Sequence, residues 1–270
     1  MSYLLKVRHL RKSFVRGGGV FSDDTKRERF TAVDDVSFEV APGETFAIVG
    51  ESGCGKTTLA RIILRLIDPD DGVVLFEEKD LLAMKGKVLR AQRRQMQMIF
   101  QDPFASLNPR MKVGDIVAEP LAIHEPERSE VHRLACAAEM LQRVGLDAAA
   151  LNRYPHEFSG GQRQRIGIAR ALILRPKLVV ADEAVSALDV SVGAQVLLLL
   201  QELQKEFHLT YLFISHSLPV VRQLATHIAV MRAGQMIEYG PANMILQKPT
   251  HIYTRDLLAA VPEIPQPGQV

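Results

Sequence analysis

The sequence predicts an α/β fold in which a parallel β-sheet forms the core and a helical subdomain is inserted into it. Three buried strands are indicated by apolar runs at residues 45–49, 178–183 and 210–214. The first two runs are each followed by a stretch in which apolar residues recur at helical spacing. Residues 113–153, which lie between those two runs, show helical periodicity instead, and this predicts the inserted subdomain.

The composition gives no electrostatic argument for nucleic acid as the main partner. The 270 residues include 33 Lys and Arg against 31 Asp and Glu, so the formal net charge is only +2. Cys54 and Cys136 form neither a disulfide framework nor a C-x-x-C metal pair, which fits a reducing cytoplasm. No signal-peptide core and no apolar run of about 18 residues is found. Any membrane role is therefore expected to come through a partner.

Two strands are predicted at the beginning of the chain, at residues 4–10 and 33–40, the second with two-residue alternation. A glycine-rich, charged loop with little to bury joins them. Phe14 and Phe30 lie on either side of this loop, and either ring could stack on a nucleotide base. An ordinary core or loop phenylalanine is an equally good interpretation of each.

A glycine-rich loop after the first buried strand carries the strongest functional signal. It reads Gly50-Glu51-Ser52-Gly53-Cys54-Gly55-Lys56-Thr57, the G-x-x-x-x-G-K-T pattern of a P-loop. The glycines let successive backbone N–H groups face one anion, and the dipole of the following helix adds positive potential. Lys56 would reach the β- and γ-phosphates, and the Thr57 hydroxyl would ligate Mg²⁺. The flanking strand and helix argue against a chance match in a glycine-rich turn.

The segment that follows the P-loop helix is predicted to end at Gln101, with its side-chain amide beside the P-loop. A turn at 68–72 and a short strand at 73–76 come first, and the basic run at 85–94 is interpreted as a solvated helix face. An apolar strand at 96–100 then leads to Gln101. Its side chain could reach Mg²⁺ or the attacking water, and a strand-end amide without function is the alternative.

The helical subdomain is predicted to contain helices at 113–122 and 129–144, with Ser129 as the N-cap and Gly145 as the C-terminal stop. It closes with Ser159-Gly160-Gly161, which leads into a further helix at 166–174. A Ser-Gly-Gly sequence at a helix N-terminus could form a second anion-binding site. A tight turn is the equal alternative.

Polar side chains follow the two later buried strands. Asp182 would hold Mg²⁺, directly or through water, and Glu183 would polarise the water that attacks the γ-phosphate. That two acids merely mark a strand end is a weaker interpretation once a P-loop precedes them. His216 follows the third run and could be a structural histidine. However, strand ends at one edge of a parallel sheet converge on one site.

Six motifs in the same order and spacing resemble those of the ATP-hydrolysing subunits of ABC transporters. They are residues 50–57 (Walker A), Gln101 (Q-loop), 158–162 (signature), 178–183 (Walker B), 186–189 (D-loop) and His216 (switch histidine). The resemblance implies the ABC ATPase fold, a P-loop NTPase with a parallel-sheet core, an antiparallel β subdomain and an inserted α-helical subdomain. It implies a single domain over 1–270, with the nucleotide-binding core at 1–100 and 175–250. The helical and signature subdomain would occupy 101–174, and a short extension 251–270.

The resemblance also implies a site shared between two such subunits. The residues expected to contact ATP are Phe14, Gly50, Ser52, Gly53, Cys54, Gly55, Lys56, Thr57, Thr58, Ser159, Gly160, Gly161, Gln162 and Asp189. Those expected to hold Mg²⁺ are Thr57, Gln101 and Asp182, and those expected to act in hydrolysis are Glu183, His216 and Gln101. Each ATP would lie between the P-loop of one subunit and the signature of the other. Binding would close the pair and hydrolysis would reopen it.

Three further segments, at 101–110, 187–191 and 251–258, are similar to those of the peptide/nickel/opine importer family. Phe14 resembles the adenine-stacking aromatic of these subunits in position, with Phe30 and Phe21 as rivals. Ala184 stands where many relatives have proline, a pattern also met in nickel-importer ATPases.

The implied function is that of an ATPase subunit that powers an importer for di- or oligopeptides at the cytoplasmic face of the inner membrane. Its implied partners are two transmembrane permease subunits, received near 104–110, and indirectly an extracytoplasmic solute-binding protein. A second, different ATPase chain would complete the pair, or a second copy of this chain as a homodimer. A nickel or opine importer ATPase and a soluble, non-transport ABC ATPase are the alternatives.

Overall fold

The computed structural model describes residues 3–16 and 28–260 of the chain. In chain order the elements are β1 (Leu5–Arg16), β2 (Glu28–Val40), β3 (Thr45–Val49), α1 (Lys56–Ile63), β4 (Asp71–Phe76), β5 (Lys79–Asp80), α2 (Gly86–Arg93), β6 (Met96–Ile99), α3 (Pro103–Ser106), α4 (Val113–His124), α5 (Glu130–Arg143), α6 (Gly160–Leu172), β7 (Leu178–Asp182), α7 (Val190–Phe207), β8 (Thr210–Ser215), α8 (Leu218–Leu224), β9 (His227–Arg232), β10 (Gln235–Pro241), α9 (Ala242–Gln247) and α10 (Ile252–Ala259). Two 3₁₀ turns, Ala148–Asn152 and Pro155–Glu157, precede α6. Phe21 lies outside the described residues.

A six-stranded sheet forms the core of the molecule in the order β10-β9-β3-β8-β7-β6. All neighbours pair in parallel except β10, which runs antiparallel to β9. The strands β3, β8 and β7 are adjacent, so their carboxyl ends lie side by side at one edge of the sheet. This arrangement brings together the loops that follow residues 49, 182 and 215.

The central strands are buried on both faces, which explains why they are apolar without alternation. In β3, Phe46 and Ile48 belong to one hydrophobic cluster, and Ala47 and Val49 belong to the other. The first cluster also contains the inner residues of β1, β2 and β4, and the second contains the apolar faces of α4 to α7. The sheet therefore lies between the two hydrophobic clusters, and each cluster packs against one face of β3.

A second, antiparallel sheet has the order β2-β1-β4-β5. The strands β1 and β2 extend well beyond the predicted ranges 4–10 and 33–40, because the part of the loop at 11–16 and 28–32 continues the hairpin. The polar pair Ser13 and Thr31 lies in this extension, where the side-chain hydroxyls are 3.2 Å apart. In an exposed hairpin, apolar and polar side chains need not alternate, so the hydrophobic pattern of the sequence did not indicate this extension.

The signature helix α6 begins at Gly160 rather than at residue 166, which corrects the predicted start. The Ser159 hydroxyl accepts a hydrogen bond from the Gln162 N–H (3.3 Å), and the Gln162 side chain accepts one from the Ser159 N–H (3.0 Å). This capping box offsets the low helix propensity of the two glycines. Of the two alternatives for Ser-Gly-Gly, the helix N-terminus is therefore the one observed.

Within the described ranges, no helix combines the length and the apolar character that a membrane crossing requires.

Candidate active site

The P-loop joins the carboxyl end of β3 to α1 and passes too close to its neighbours for side chains at two positions. A Cβ atom on Gly50 would lie 2.1 Å from the Met231 carbonyl oxygen, and one on Gly55 would lie 1.9 Å from the Ala32 carbonyl oxygen. Only glycine fits such approaches. Glu51, Ser52 and Gly53 are exposed, and Thr58 lies in the first turn of α1.

Lys56 is buried, and its orientation is set by its own loop. The Nζ atom donates to the carbonyl oxygens of Gly50 and Glu51, both at 2.8 Å. A third, weaker contact joins Nζ to the Cys54 sulfur at 3.8 Å. An ammonium group has three donors and a thiol is a weak acceptor, so this third N–H is the one that a phosphate would take. Burial raises the pKa of the nearby Cys54 thiol, although Lys56 acts in the opposite direction. The thiol therefore stays neutral and does not compensate the charge of Lys56.

Thr57 and Asp182 meet at the end of β7, where the Thr57 hydroxyl lies 3.2 Å from Asp182 Oδ1. Burial raises the pKa of Asp182, the hydrogen bond from Thr57 lowers it, and the adjacent Glu183 raises it. A buried carboxylate of this kind is stabilised by a cation. A carboxylate and a hydroxyl are oxygen ligands that suit Mg²⁺, so these two residues fit the predicted metal.

Glu183 is held between two side chains. Gln101 Nε2 donates to Oε2 at 2.8 Å, and His216 Nδ1 lies 3.1 Å from Oε1. The carboxylate side chain is only 14% exposed, whereas the imidazole is 54% exposed. Glu183 therefore contacts both of the other predicted catalytic residues, and the His216 side chain is more exposed than that of Glu183.

The backbone of Glu183 is also fixed. Its φ angle of 48° is left-handed, a conformation that costs a non-glycine residue free energy unless the surroundings impose it. The Glu183 N–H donates to the Ile214 carbonyl at 2.9 Å, and its own carbonyl accepts from the N–H (3.0 Å) and the hydroxyl (2.9 Å) of Ser186. Such local strain is typical of functional positions.

The two candidate stacking residues lie opposite each other. Phe14 pairs with Phe30 across the β1–β2 hairpin, so their rings project from the same face of the sheet. The rings are 41% and 48% exposed. Lys12 Nζ lies 5.5 Å from the centre of the Phe14 ring and is anchored by Asp70 at 2.9 Å. Both rings are therefore available to a base, and among residues 3–16 and 28–260 a cation is found over the Phe14 ring but not over the Phe30 ring.

The signature residues lie at the start of α6 and border the D-loop. Ser159, Gln162 and Asp189 are exposed, and the signature packs against the D-loop and α7. A Cβ atom on Gly161 would lie 2.3 Å from Val192 Cγ1, and one on Gly160 would lie 3.7 Å from Leu188 Cδ2. No hydrogen bond or ion pair found within residues 3–16 and 28–260 joins these residues to the P-loop.

Two contacts that the sequence interpretation missed attach Gln101 to the signature helix. The Arg163 guanidinium lies 3.8 Å from the centre of the Phe104 ring, and that of Arg170 lies 5.7 Å from the Phe100 ring. Both distances are within the range of cation–π interactions. In the sequence, these contacts could have been inferred from two arginines that are two helical turns apart and from two phenylalanines that flank Gln101.

A cavity of about 720 Å³ opens between the core and the helical subdomain. Its lining includes the site residues Thr57, Gln101 and Asp182 as well as Ile123 and Arg170. It includes Ala105 and Ser106 but none of residues 107–110, so it overlaps only the beginning of the predicted permease groove.

The chain is similar to known proteins over most of its length. A family model described as "ABC transporter" matches residues 33–186. The oligopeptide transport ATP-binding protein OppF of Bacillus subtilis is 51% identical, over 98% of this chain and 84% of that protein. The glutathione import ATP-binding protein GsiA of Pectobacterium atrosepticum is 48% identical, over 96% of this chain and 41% of that protein. A solved dimeric ATP-binding cassette in a post-hydrolysis state, bound to ADP and Pi, matches with a TM-score of 0.77 and 28% identity, over 88% of this chain and 98% of that one.

Proposed function

The chain belongs to the ABC transporter family, and we propose that it is the ATP-hydrolysing subunit of an importer whose cargo is di- or oligopeptides. The family and the ABC ATPase fold that the sequence predicts are confirmed. The choice of peptides is supported by OppF, an oligopeptide transport protein, and by GsiA, a glutathione import protein. Glutathione is itself a tripeptide, so both relatives favour peptides over nickel or opines.

The observation that carries hydrolysis is the position of Glu183 between Gln101 and His216. A carboxylate fixed on both oxygens can orient a water molecule without first losing side-chain freedom. In this role Glu183 accepts a hydrogen bond from the attacking water, and His216 contacts the γ-phosphate. The new P–O bond to water forms as the bond to ADP breaks.

Thr57 and Asp182 would hold Mg²⁺, and the side-chain amide oxygen of Gln101 would be the third protein ligand of the ion. The ion supplies charge neutralisation at the β- and γ-phosphates when it is bound. The third N–H of Lys56 would turn from the weakly accepting Cys54 sulfur to the same phosphates, since the other two donate to Gly50 and Glu51.

We propose that a second cassette subunit completes the site. Exposed Ser159 and Gln162 lie at a helix N-terminus, a geometry that suits an anion, and Asp189 lies in the bordering loop. No hydrogen bond or ion pair among the described residues joins them to the P-loop of their own chain. Head-to-tail pairing would place them on the nucleotide of the partner. The dimeric state of the solved cassette supports this arrangement, and a different ATPase chain is the expected partner in the cell.

The remaining proposed partners are two permease subunits at the membrane, with an extracytoplasmic binding protein acting through them. The cavity between the core and the helical subdomain is lined in part by the exposed apolar residues Phe100 and Ile123, which suit a short helix of another protein. The same cavity reaches Gln101 and Asp182, so a helix seated there could respond to the nucleotide. We accordingly place the subunit at the cytoplasmic face of the inner membrane.

The proposal is tested by purifying the tagged chain from detergent-solubilised native membranes and identifying the co-purifying proteins by mass spectrometry. Two multi-span proteins and a second cassette ATPase are expected. Uptake of a labelled dipeptide, a labelled tripeptide and nickel is then compared in cells that carry Glu183→Gln or the exposed control Glu202→Gln. Peptide uptake should be lost only with Glu183→Gln. Loss of nickel uptake alone would contradict the cargo, and recovery only from the soluble fraction would contradict the transport role.

A further inference from the structure

Asp70, the residue before β4, makes three contacts with β1 that no motif explains. Its N–H donates to the Arg11 carbonyl at 2.8 Å. Its carboxylate accepts hydrogen bonds from Lys12 Nζ at 2.9 Å and from the Ser13 N–H at 2.7 Å. These two bonds, that from Lys12 above all, lower the pKa of Asp70, so the carboxylate is ionised at neutral pH. One residue thus holds three consecutive residues of β1.

The residues that Asp70 holds form the irregular part of β1. The pairing of β1 with β2 shifts in register between Leu10 and Lys12 and again between Lys12 and Ser13. Register shifts of this kind bend a strand and change the direction of the side chains that follow. Phe14 is the next residue along the strand. The contacts of Asp70 therefore constrain the backbone just before the candidate stacking ring, where the ladder is interrupted.

The turn that carries Asp70 is itself fixed against β1. A Cβ atom on Gly72 would lie 2.6 Å from Leu10 Cα, and the φ angle of Gly72 is 102°, so only glycine permits this approach. Residues 64–70 connect this turn to α1, which begins at the P-loop. At the other end of α1, Gly55 lies against the Ala32 carbonyl of β2. The β1–β2 hairpin is therefore held at both ends of the segment that contains the P-loop helix.

Lys12 extends the contact of Asp70 to the ring itself. The Lys12 side chain is only 18% exposed, and its Nζ atom lies 5.5 Å from the centre of the Phe14 ring, which is within the range of a cation–π interaction. The same ammonium group donates to Asp70. Asp70 therefore fixes both the backbone before Phe14 and the cation beside its ring.

We propose that Asp70 is a positioning residue of the nucleotide site, which holds the Phe14 ring where the base of an ATP molecule can stack while its phosphates occupy the P-loop. A ring that is already held in place loses less conformational freedom when the base binds. The inference rests on the proposed binding of ATP with Phe14 as the stacking residue, and it is independent of the cargo.

Asp70→Ala removes both carboxylate contacts. We expect ATP affinity to fall about three- to tenfold, a part of what base–aromatic stacking contributes. KM for ATP should rise by the same factor with kcat unchanged. Affinity for inorganic triphosphate should not change, because the P-loop contacts remain. In a Phe14→Ala background, Asp70→Ala should lower ATP affinity no further, since the ring that it positions is absent.

Asp71→Ala is the matched control. Asp71 is the adjacent exposed acid, and its carboxylate accepts a hydrogen bond from the Gly72 N–H at 2.7 Å, within the turn. Its loss should leave ATP affinity unchanged, which separates the contacts with β1 from general damage to the turn. Asp70→Asn keeps one acceptor oxygen and should show a smaller loss of ATP affinity than Asp70→Ala.

All variants are measured in the full chain with Glu183→Gln, by equilibrium titration with MgATP and with magnesium triphosphate. Wild-type ATP affinity in Asp70→Ala would overturn the inference, and so would an equal loss for the two ligands or an undiminished loss in the Phe14→Ala background. Each of these results, with MgATP still bound, would leave the importer proposal standing. Failure of the Glu183→Gln chain itself to bind MgATP would contradict the importer proposal instead.

Discussion

His216 Nδ1 lies 3.1 Å from Oε1 of Glu183. The two residues follow neighbouring parallel strands, β8 and β7, in which Asp182 pairs with Ile214. The register of the sheet therefore sets this contact, and a loop rearrangement is not required to form it. In our proposal it joins the residue that contacts the γ-phosphate to the residue that orients the water.

Glu183→Gln should retain ATP binding and lower kcat at least about a hundredfold, because the amide keeps the shape of the side chain but is a poor base. Single-turnover hydrolysis and equilibrium ATP binding measure the two effects separately. Glu202→Gln, an exposed change on α7, should behave as the wild type. Turnover within about twofold of wild type in Glu183→Gln would remove this residue from the water-orienting role.

His216→Ala should bind ATP and hydrolyse it at least about tenfold more slowly, since the γ-phosphate would lose a donor in the transition state. The comparison is with His132→Ala, an exposed histidine on α5. The same phosphate-release assay serves both variants. If His216→Ala hydrolyses ATP at the wild-type rate, the histidine is a structural neighbour of Glu183 only.

Phe14→Ala should weaken ATP binding by about 1–3 kcal/mol, the usual contribution of base–aromatic stacking. Binding of inorganic triphosphate, which has no base, should not change, and this separates stacking from damage to the hairpin. Phe30→Ala is measured in parallel because the two rings face the same side. An effect confined to Phe30→Ala would show that the assignment of Phe14 is wrong.

Glu238→Gln should destabilise the chain in a pH-dependent manner. Burial raises the pKa of Glu238, but hydrogen bonds from Thr254, Thr250 and His251 outweigh it and lower the pKa to about 2. The ionised carboxylate therefore stabilises the fold above the ordinary pKa of 4.5 and loses this effect as the pH falls toward 2.

The expected cost of Glu238→Gln is about 1 kcal/mol at pH 7, since solvent screens the group. Thermal unfolding between pH 2.5 and pH 7 measures it, and the difference from wild type should shrink toward the acid end. Glu127→Gln, an exposed acid, is the control. A pH-independent difference would mean that the charge of Glu238 does not anchor α10.

Features with a local physical cause could be predicted from the sequence. The strand at 45–49 was predicted with the bounds of β3, because a strand buried on both faces is a continuous apolar run. The helix at 129–144 was predicted within one residue of α5, and Ser129 accepts the expected capping bond from the His132 N–H. The P-loop could be predicted from its G-x-x-x-x-G-K-T pattern alone.

Features that depend on distant contacts could not be predicted. From the sequence, the glycines at the start of α6 were equally compatible with a tight turn and with a helix N-terminus, and the reciprocal cap of Ser159 and Gln162 decides for the helix. Arg163 is far from Phe104 in sequence, and no local pattern connects the two. The extension of the β1–β2 hairpin is polar, so periodicity could not distinguish it from a loop.

Arg163 and Arg170 lie seven residues apart on α6, which is about 10 Å along a helix axis. Each stacks on a phenylalanine close to Gln101, and two attachments at this spacing prevent the segment from pivoting on the helix. A rotation of α6 would then carry Gln101 with it and change its distance from Glu183. In the head-to-tail pair that we propose, α6 would also touch the nucleotide of the other subunit, and we therefore expect the two hydrolysis events to be correlated in time.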